Sequence, residues 1–271
     1  MKYNFAKLDL SDNFIYLIEP SAFMNISFNF VDLGKNQLSE INSNMFVNVS
    51  INSVNLEQNQ LKSLEDASLS SLFLTVNFNF GKNKIKFISN RLFLGEISKA
   101  EVIYLNNNFL SNLTFLSTNQ FESLNELDVS FNLIEYVFLS DLNGLKSLKK
   151  LNVANNRLKY IDQNILTSSL LTSINLTNIS CWIGNNFSQQ LDTVDLSWNR
   201  LDNFSITEIY ENLNHLYLRN SLNEFESSFN FSLLPNLKTL DLSDNFIDSE
   251  KIININQAKD LRKLYLSNMR I

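Results

Sequence analysis

Apolar residues along this chain fall into a short alternating pattern that returns at nearly constant intervals. In Leu8-Asp9-Leu10-Ser11-Asp12-Asn13-Phe14-Ile15, Leu8 and Leu10 share one side of an extended segment, an Asn follows five residues after Leu8, and an Ile lies two beyond that. The order recurs almost unchanged in Leu240-Asp241-Leu242-Ser243-Asp244-Asn245-Phe246-Ile247. Aligning the chain on this octet puts the first apolar residue of each coil at Leu8, Val31, Val54, Phe78, Ile103, Leu127, Leu151, Ile174, Val194, Leu216, Leu240 and Leu264. Successive intervals are 23, 23, 24, 25, 24, 24, 23, 20, 22, 24 and 24 residues. Self-similarity at such a period marks stacked supersecondary units that bury one continuous core.

Each column has a physical role. An apolar-x-apolar pair predicts a short strand with both aliphatic side chains on one face. Stacked coils then bring these strands together at ~4.8 Å in one parallel sheet. The column five residues on reads Asn13, Asn36, Asn59, Asn83, Asn108, Asn132, Asn156, Asn199 and Asn245, with Ile179, Ser221 and Met269 as the exceptions. A carboxamide carries two donors and an acceptor, so this column predicts an internal ladder that bonds the coil before and the coil after. An unsatisfied buried group there would cost roughly 1–3 kcal/mol. Two residues further on the chain is Leu or Ile, except at Cys181 and Asn223.

On the return, Leu142, Leu145, Leu148 and Leu151 are spaced by three, as are Phe231, Leu234, Leu237 and Leu240. That spacing predicts an irregular or 3-10 crossing. Phe23, Phe46, Phe93 and Phe231 share one column and are expected to fill the interior, and Phe5 also falls at a core position.

These columns resemble the "typical" 24-residue class of leucine-rich repeats, and the resemblance covers essentially the whole chain. The class includes ectodomains of Toll-like receptors and of Slit-like and chaoptin-like proteins. The resemblance implies an α/β-type repeat solenoid, a right-handed horseshoe of about twelve turns, forming a single domain over 1–271. It further implies a parallel β-sheet on the concave face, an irregular or 3-10 convex face, and partner binding on the concave side. One departure stands out. Extracellular members close both ends with cysteine-bearing caps, whereas Cys181 is the only cysteine here and both ends of the sequence fall at core positions. The chain therefore reads as a piece of a longer protein lacking both caps; the alternative is a cytosolic protein with unconventional caps.

Composition narrows the function. Hydrophobic residues at 44% and charged residues at 18% oppose disorder. A net charge of −6 argues against nucleic acid or an anionic membrane as partner, since both attract basic faces. No apolar run approaches the ~18–20 residues of a membrane span, so no membrane contact is expected of this segment itself. The opening residues hold no stretch of signal-peptide kind. The five glycines are scattered, with no phosphate loop, and one His without a second Cys offers no metal or nucleophile set. No catalysis, cofactor or metal is expected.

Candidate binding residues come from the column between the two core residues of each strand. It reads Asp9, Asp32, Asn55, Asn79, Tyr104, Asp128, Asn152, Asn175, Asp195, Tyr217, Asp241 and Tyr265. Tyrosine suits contact surfaces because it brings large area at low entropy cost. Phe131 and Trp198 lie three positions further along, and His215, Tyr217 and Arg219 belong to the coil after Trp198. The concave-face candidates are therefore Tyr104, Phe131, Asp195, Trp198, His215, Tyr217, Arg219 and Tyr265. An aromatic after Asp-Leu-Ser is also a common filler of such repeats, which is the competing reading.

Two further features enter. The Ile174–Val194 coil is short, and Cys181 within it reads as a small buried hydrophobe. Eight Asn-x-Ser/Thr sequons occur, at Asn25, Asn48, Asn112, Asn175, Asn178, Asn186, Asn203 and Asn230. About seven are expected by chance from the 43 asparagines and the Ser and Thr content, so position matters more than number. Asn25, Asn48 and Asn230, on the outer return, are the plausible glycan acceptors; a glycan on Asn175 would obstruct the sheet.

The function expected is recognition of a protein or glycan ligand by the concave face, in the extracellular or cell-surface part of a receptor, secreted or adhesion protein. An intracellular, cytoplasmic interaction scaffold is the runner-up. Adhesion by self-association is a third reading, and the sequence sets no oligomeric state.

Overall fold

The computed structural model describes residues 3–42, 45–65, 69, 72–73, 75–92, 99–117, 121–181, 183–184, 186–201, 204–222, 230–246 and 255–269. Phe93, Asn203, Asn223, Ile247 and Ile271 lie outside the described residues. The chain groups into two compact units, one of residues 1–134 with 138–148, the other of residues 135–137 with 149–271.

In the first unit the strands Tyr3–Asp9, Ile26–Asp32, Val49–Asn55, Asn77–Asn79, Val102–Tyr104 and Glu126–Asp128 lie side by side in chain order. Pairing is parallel throughout, and Leu8, Val31, Val54, Phe78, Ile103 and Leu127 stand opposite one another. The second unit repeats this with Lys150–Asn152, Ser173–Asn175, Thr193–Asp195, His215–Tyr217, Thr239–Asp241 and Lys263–Tyr265. There Leu151, Ile174, Val194, Leu216, Leu240 and Leu264 are in register. A strand thus lies at every expected start. Each unit's six strands enclose five strand-to-strand coils, so closed coils are fewer than the twelve starts on which the expectation was counted.

Register is fixed by burial. From Leu33 to Leu242 the residue two after each start, among them Leu56, Phe80, Leu105, Leu176, Leu196 and Leu218, is wholly buried. A slip by one residue would turn every one of these to water. The first three strands are longer because apolar alternation continues upstream, with Phe5, Phe28 and Ile51 in register. Phe5 nevertheless remains 51% exposed, contrary to its expected core position. It stacks on Phe28 at 5.8 Å and is covered from that side.

The returns are irregular, with short helical turns of two kinds. The Phe231–Leu233 and Thr114–Leu116 segments are 3-10 turns, but Leu139–Leu142 and Gln163–Leu166 are single α-helical turns. Asp141 explains the first of these, since its carboxylate accepts the Phe138 N–H at 2.9 Å and fixes the start of the turn. Short parallel pairs also form on the returns, Ser63–Leu64 with Phe87–Ile88 and Tyr136–Val137 with Tyr160–Ile161. The expected Phe column is interior at Phe23, Phe46 and Phe231, and Phe23 stacks on Phe46 at 5.6 Å.

The Asn column stitches the coils. Asn108 Nδ2 donates to the carbonyls of Leu105 and Asn106 in its own coil and of Phe80 in the preceding one, while its Oδ1 accepts the Ile85 N–H at 2.9 Å. Asn36, Asn59, Asn83, Asn132, Asn199 and Asn245 repeat this pattern. Among the described residues the coil-to-coil bonds of these side chains run backward, which corrects the expectation that they reach both ways. The forward bonds belong to the backbone. Lys35 donates to Glu57, Gln58 to Gly81, Lys82 to Asn106 and Trp198 to Arg219, each at 2.7–2.9 Å. Asn13 in the first described coil is exposed and bonds only the carbonyls of Leu10 and Ser11.

Ser221 substitutes locally for the missing amide. Its hydroxyl donates to Leu196, and the Leu201 N–H turns to the Ser221 backbone carbonyl. In the short coil, Ile179 is buried and Ile183 and Phe187 fill the interior, so register with Val194 survives the shortening. Cys181 is only half-buried, not the fully buried hydrophobe expected, and burial pushes its thiol up.

Candidate functional site

The exposed face of the sheet is built from side chains that alternate with the core residues. Most of its acidic and amide column has a structural task. Asp32, Asn55, Asn79, Asp128, Asn152, Asn175, Asp195 and Asp241 each accept, through Oδ1, the backbone N–H two residues on, at 2.8–3.1 Å. These side chains close the turn at the strand end. Asp195 is thus committed in part to Ser197. The column's three departures from Asp or Asn are Tyr104, Tyr217 and Tyr265, the very residues with area to offer a partner.

A second column went unseen in the sequence. The residue before each ladder position adopts a left-handed backbone: Asp12, Lys35, Gln58, Lys82, Asn107, Phe131, Asn155, Asn178, Trp198, Asn220, Asp244 and Asn268 all have φ between 46° and 60°. Asn and Asp enter this region readily, but a bulky side chain pays about 1–2 kcal/mol. Phe131 and Trp198 are the two aromatics in the column, and both remain about half exposed, at 52% and 50%. The turn holds them outward on a rigid backbone.

The second unit gathers most of the expected residues. The Arg219 guanidinium lies 5.8 Å from the Trp198 ring centre, and its Nε donates to Asp244 Oδ2 at 2.6 Å. Asn268 and then Arg219 hold the Asp244 carboxyl below the usual carboxylate range. Asp244 was missed because only strand-centre acids were considered; it occupies the Trp198 column two coils on. Tyr217 stands in register between Asp195 and Asp241, and Tyr265 is next along. Partial burial, and then the charges of Asp195, Tyr265 and Asp241, raise the Tyr217 phenol. His215 is half-buried between Thr193 and Thr239 in register, and its buried Nδ1 has no hydrogen-bond partner among the described residues. A ring nitrogen in that state is an unspent polar group.

Tyr104 and Phe131 belong to the first unit. The Tyr104 hydroxyl donates to Glu126 Oε1 at 2.9 Å, and burial followed by this bond pushes its phenol up to about 12. On the same face Asn55 Nδ2 donates to Asp32 at 2.8 Å, and Lys82 pairs with Glu57 at 2.9 Å.

Among the sequons, Asn25, Asn48 and Asn230 are exposed, and Asn25 and Asn48 have left-handed backbones. Asn230, Asn112 and Asn175 accept, through Oδ1, both the N–H and the hydroxyl of their own Ser or Thr. Among the described residues no group of three His, Cys, Asp or Glu is placed to hold a metal, and no helix is long and apolar enough to cross a membrane.

The sequence matches no protein-family profile and no curated protein. Solved structures do match. An internalin from Listeria monocytogenes superposes with a TM-score of 0.70 at 18% identity, over 98% of this chain and 82% of that one. TLR13 in complex with ssRNA13 gives 0.73 at 23% identity, with 98% of this chain covering 44% of TLR13. The leucine-rich-repeat protein FLRT2, in an octameric complex with Latrophilin 3 and Unc5D, gives 0.71 at 21% identity, over 98% and 83% of the two chains. Parallel strands in unbroken order, a buried asparagine column and these likenesses lead to one conclusion: the chain has the leucine-rich-repeat fold.

Proposed function

We propose that the exposed sheet face is a non-catalytic recognition surface for a protein or glycan, centred on Trp198, Tyr217 and Arg219. The observation that carries this reading is the half-exposed Trp198, kept on a left-handed backbone and faced by the Arg219 guanidinium. Trp, Tyr and Arg dominate contact energies because they cover area with few rotors and desolvate well. A cation over an indole ring is worth about 0.5–1 kcal/mol at an exposed site and more once a partner excludes water. Solved structures of the same fold carry partners: ssRNA13 for TLR13, Latrophilin 3 and Unc5D for FLRT2. A cell-surface or secreted setting agrees with exposed sequons at Asn25, Asn48 and Asn230.

The test is a screen of the purified domain against arrayed extracellular proteins and glycans, repeated with Trp198→Ala and Arg219→Ala. Hits weakened about tenfold or more by either change fit a contact centre of this kind. Hits that both variants retain in full move the binding surface elsewhere.

A further inference from the structure

Beyond the sheet face, the geometry points to a second docking site on the flank of the first unit, taking an acidic peptide segment that carries an apolar side chain. A groove of about 680 Å³ is lined there by Lys62, Lys84, Lys86, Phe109, Ser111 and Leu133. After each ladder Asn the chain leaves the sheet in an extended run, with Leu61, Ile85 and Leu110 pointing inward. The intervening residues point out and line the groove. Backbone bonds fix their order: Lys84 donates to Leu61, Lys86 to Lys62, Phe109 to Ile85 and Leu133 to Leu110, at 2.8–3.0 Å.

Lys62 and Lys86 therefore sit on adjacent rungs, roughly one strand spacing of ~4.8 Å apart at the backbone. Four other lysines of this acidic chain pair with carboxylates: Lys7 with Asp9, Lys82 with Glu57, Lys146 with Glu122 and Lys159 with Glu135. Among the described residues Lys62, Lys84 and Lys86 have no carboxylate partner, and Lys84 donates only to Gln60 Oε1 at 3.5 Å. Like charges lining one groove repel one another. An anion laid between them removes that repulsion and gains three attractions.

The rest of the groove selects among anions. Phe109 is 44% exposed and continues, with Leu133, the outward column that Lys84 begins. The groove thus passes from ammonium groups to an apolar floor within one coil. A uniformly charged polymer leaves that floor unused, whereas a peptide with carboxylates beside a Leu or Phe covers both parts.

The experiment uses the whole chain and a fluorescein-labelled peptide of alternating Asp, Glu and Leu, read by anisotropy. Binding that weakens about tenfold with Lys86→Glu, less with Lys86→Gln, and again with Phe109→Ala supports the site. Trp198→Ala leaves it unchanged, and raised salt weakens it. Equal binding by wild type and Lys86→Glu overturns the proposal. So does tighter binding of a single-stranded RNA or a sulfated oligosaccharide that Phe109→Ala does not affect. Circular dichroism of each variant confirms that these exposed changes leave the fold intact.

Discussion

The Trp198 ring and the Arg219 guanidinium face each other across adjacent coils, 5.8 Å apart, while the Trp198 N–H donates to the Arg219 carbonyl at 2.7 Å. Backbone and side chain thus tie the same two residues together twice. The indole is displayed on a left-handed turn that a bulky residue enters at a cost.

That cost gives a first prediction. Trp198→Gly removes the side-chain strain and leaves the backbone bonds, so stability holds or rises by up to about 1 kcal/mol. Trp198→Ala changes it little. Urea melts read this, and a loss above about 2 kcal/mol for the glycine variant contradicts it.

The ladder gives a second. Asn108→Ala leaves the Ile85 N–H and the carbonyls it served without their partner in a closed interior, and is expected to cost about 2–4 kcal/mol. Asn13→Ala, at an exposed position, is expected to cost less than about 0.5 kcal/mol. Equal midpoints for the two variants in denaturant would refute an interior role.

Tyr104 supplies a pH dependence. Its phenol is raised in the folded state from an ordinary value near 10 to about 12, by burial and by Glu126. The stabilisation is therefore present in full below pH 10 and is lost as pH rises through about 12. Ultraviolet titration should show this tyrosine ionising late, and Glu126→Gln should bring it partway back.

Expression through a secretory pathway tests the sequons. Glycans are expected on Asn25, Asn48 and Asn230, which are exposed, and not on Asn175, which is half-buried within a strand of the sheet. Peptide mass mapping reads each site separately.

Strand positions could be read from residues because burial selects side chains directly: Val31, Phe78 or Leu216 can be only apolar. The left-handed column could not. It demands a backbone angle, and residues as different as Lys35, Gln58, Phe131 and Trp198 meet it without a glycine to mark the place. The task of the strand-centre acids is not legible either, because it lies in oxygens that bond the backbone two residues on. The flank lysines escaped notice because Lys84 and Lys86 are not adjacent, and Lys62 joins them only when the coils stack.

Coil-to-coil bonds run both forward and backward from every coil, and this carries a consequence for how such a chain can change length. Each coil presents a fixed set of donors and carbonyls to the coil ahead and the matching set to the coil behind, so all coils present the same two edges. Cutting out an entire period brings matching edges together again. Removing half a period strands donors on one side and acceptors on the other. Growth and loss by whole units is thus the route this architecture tolerates.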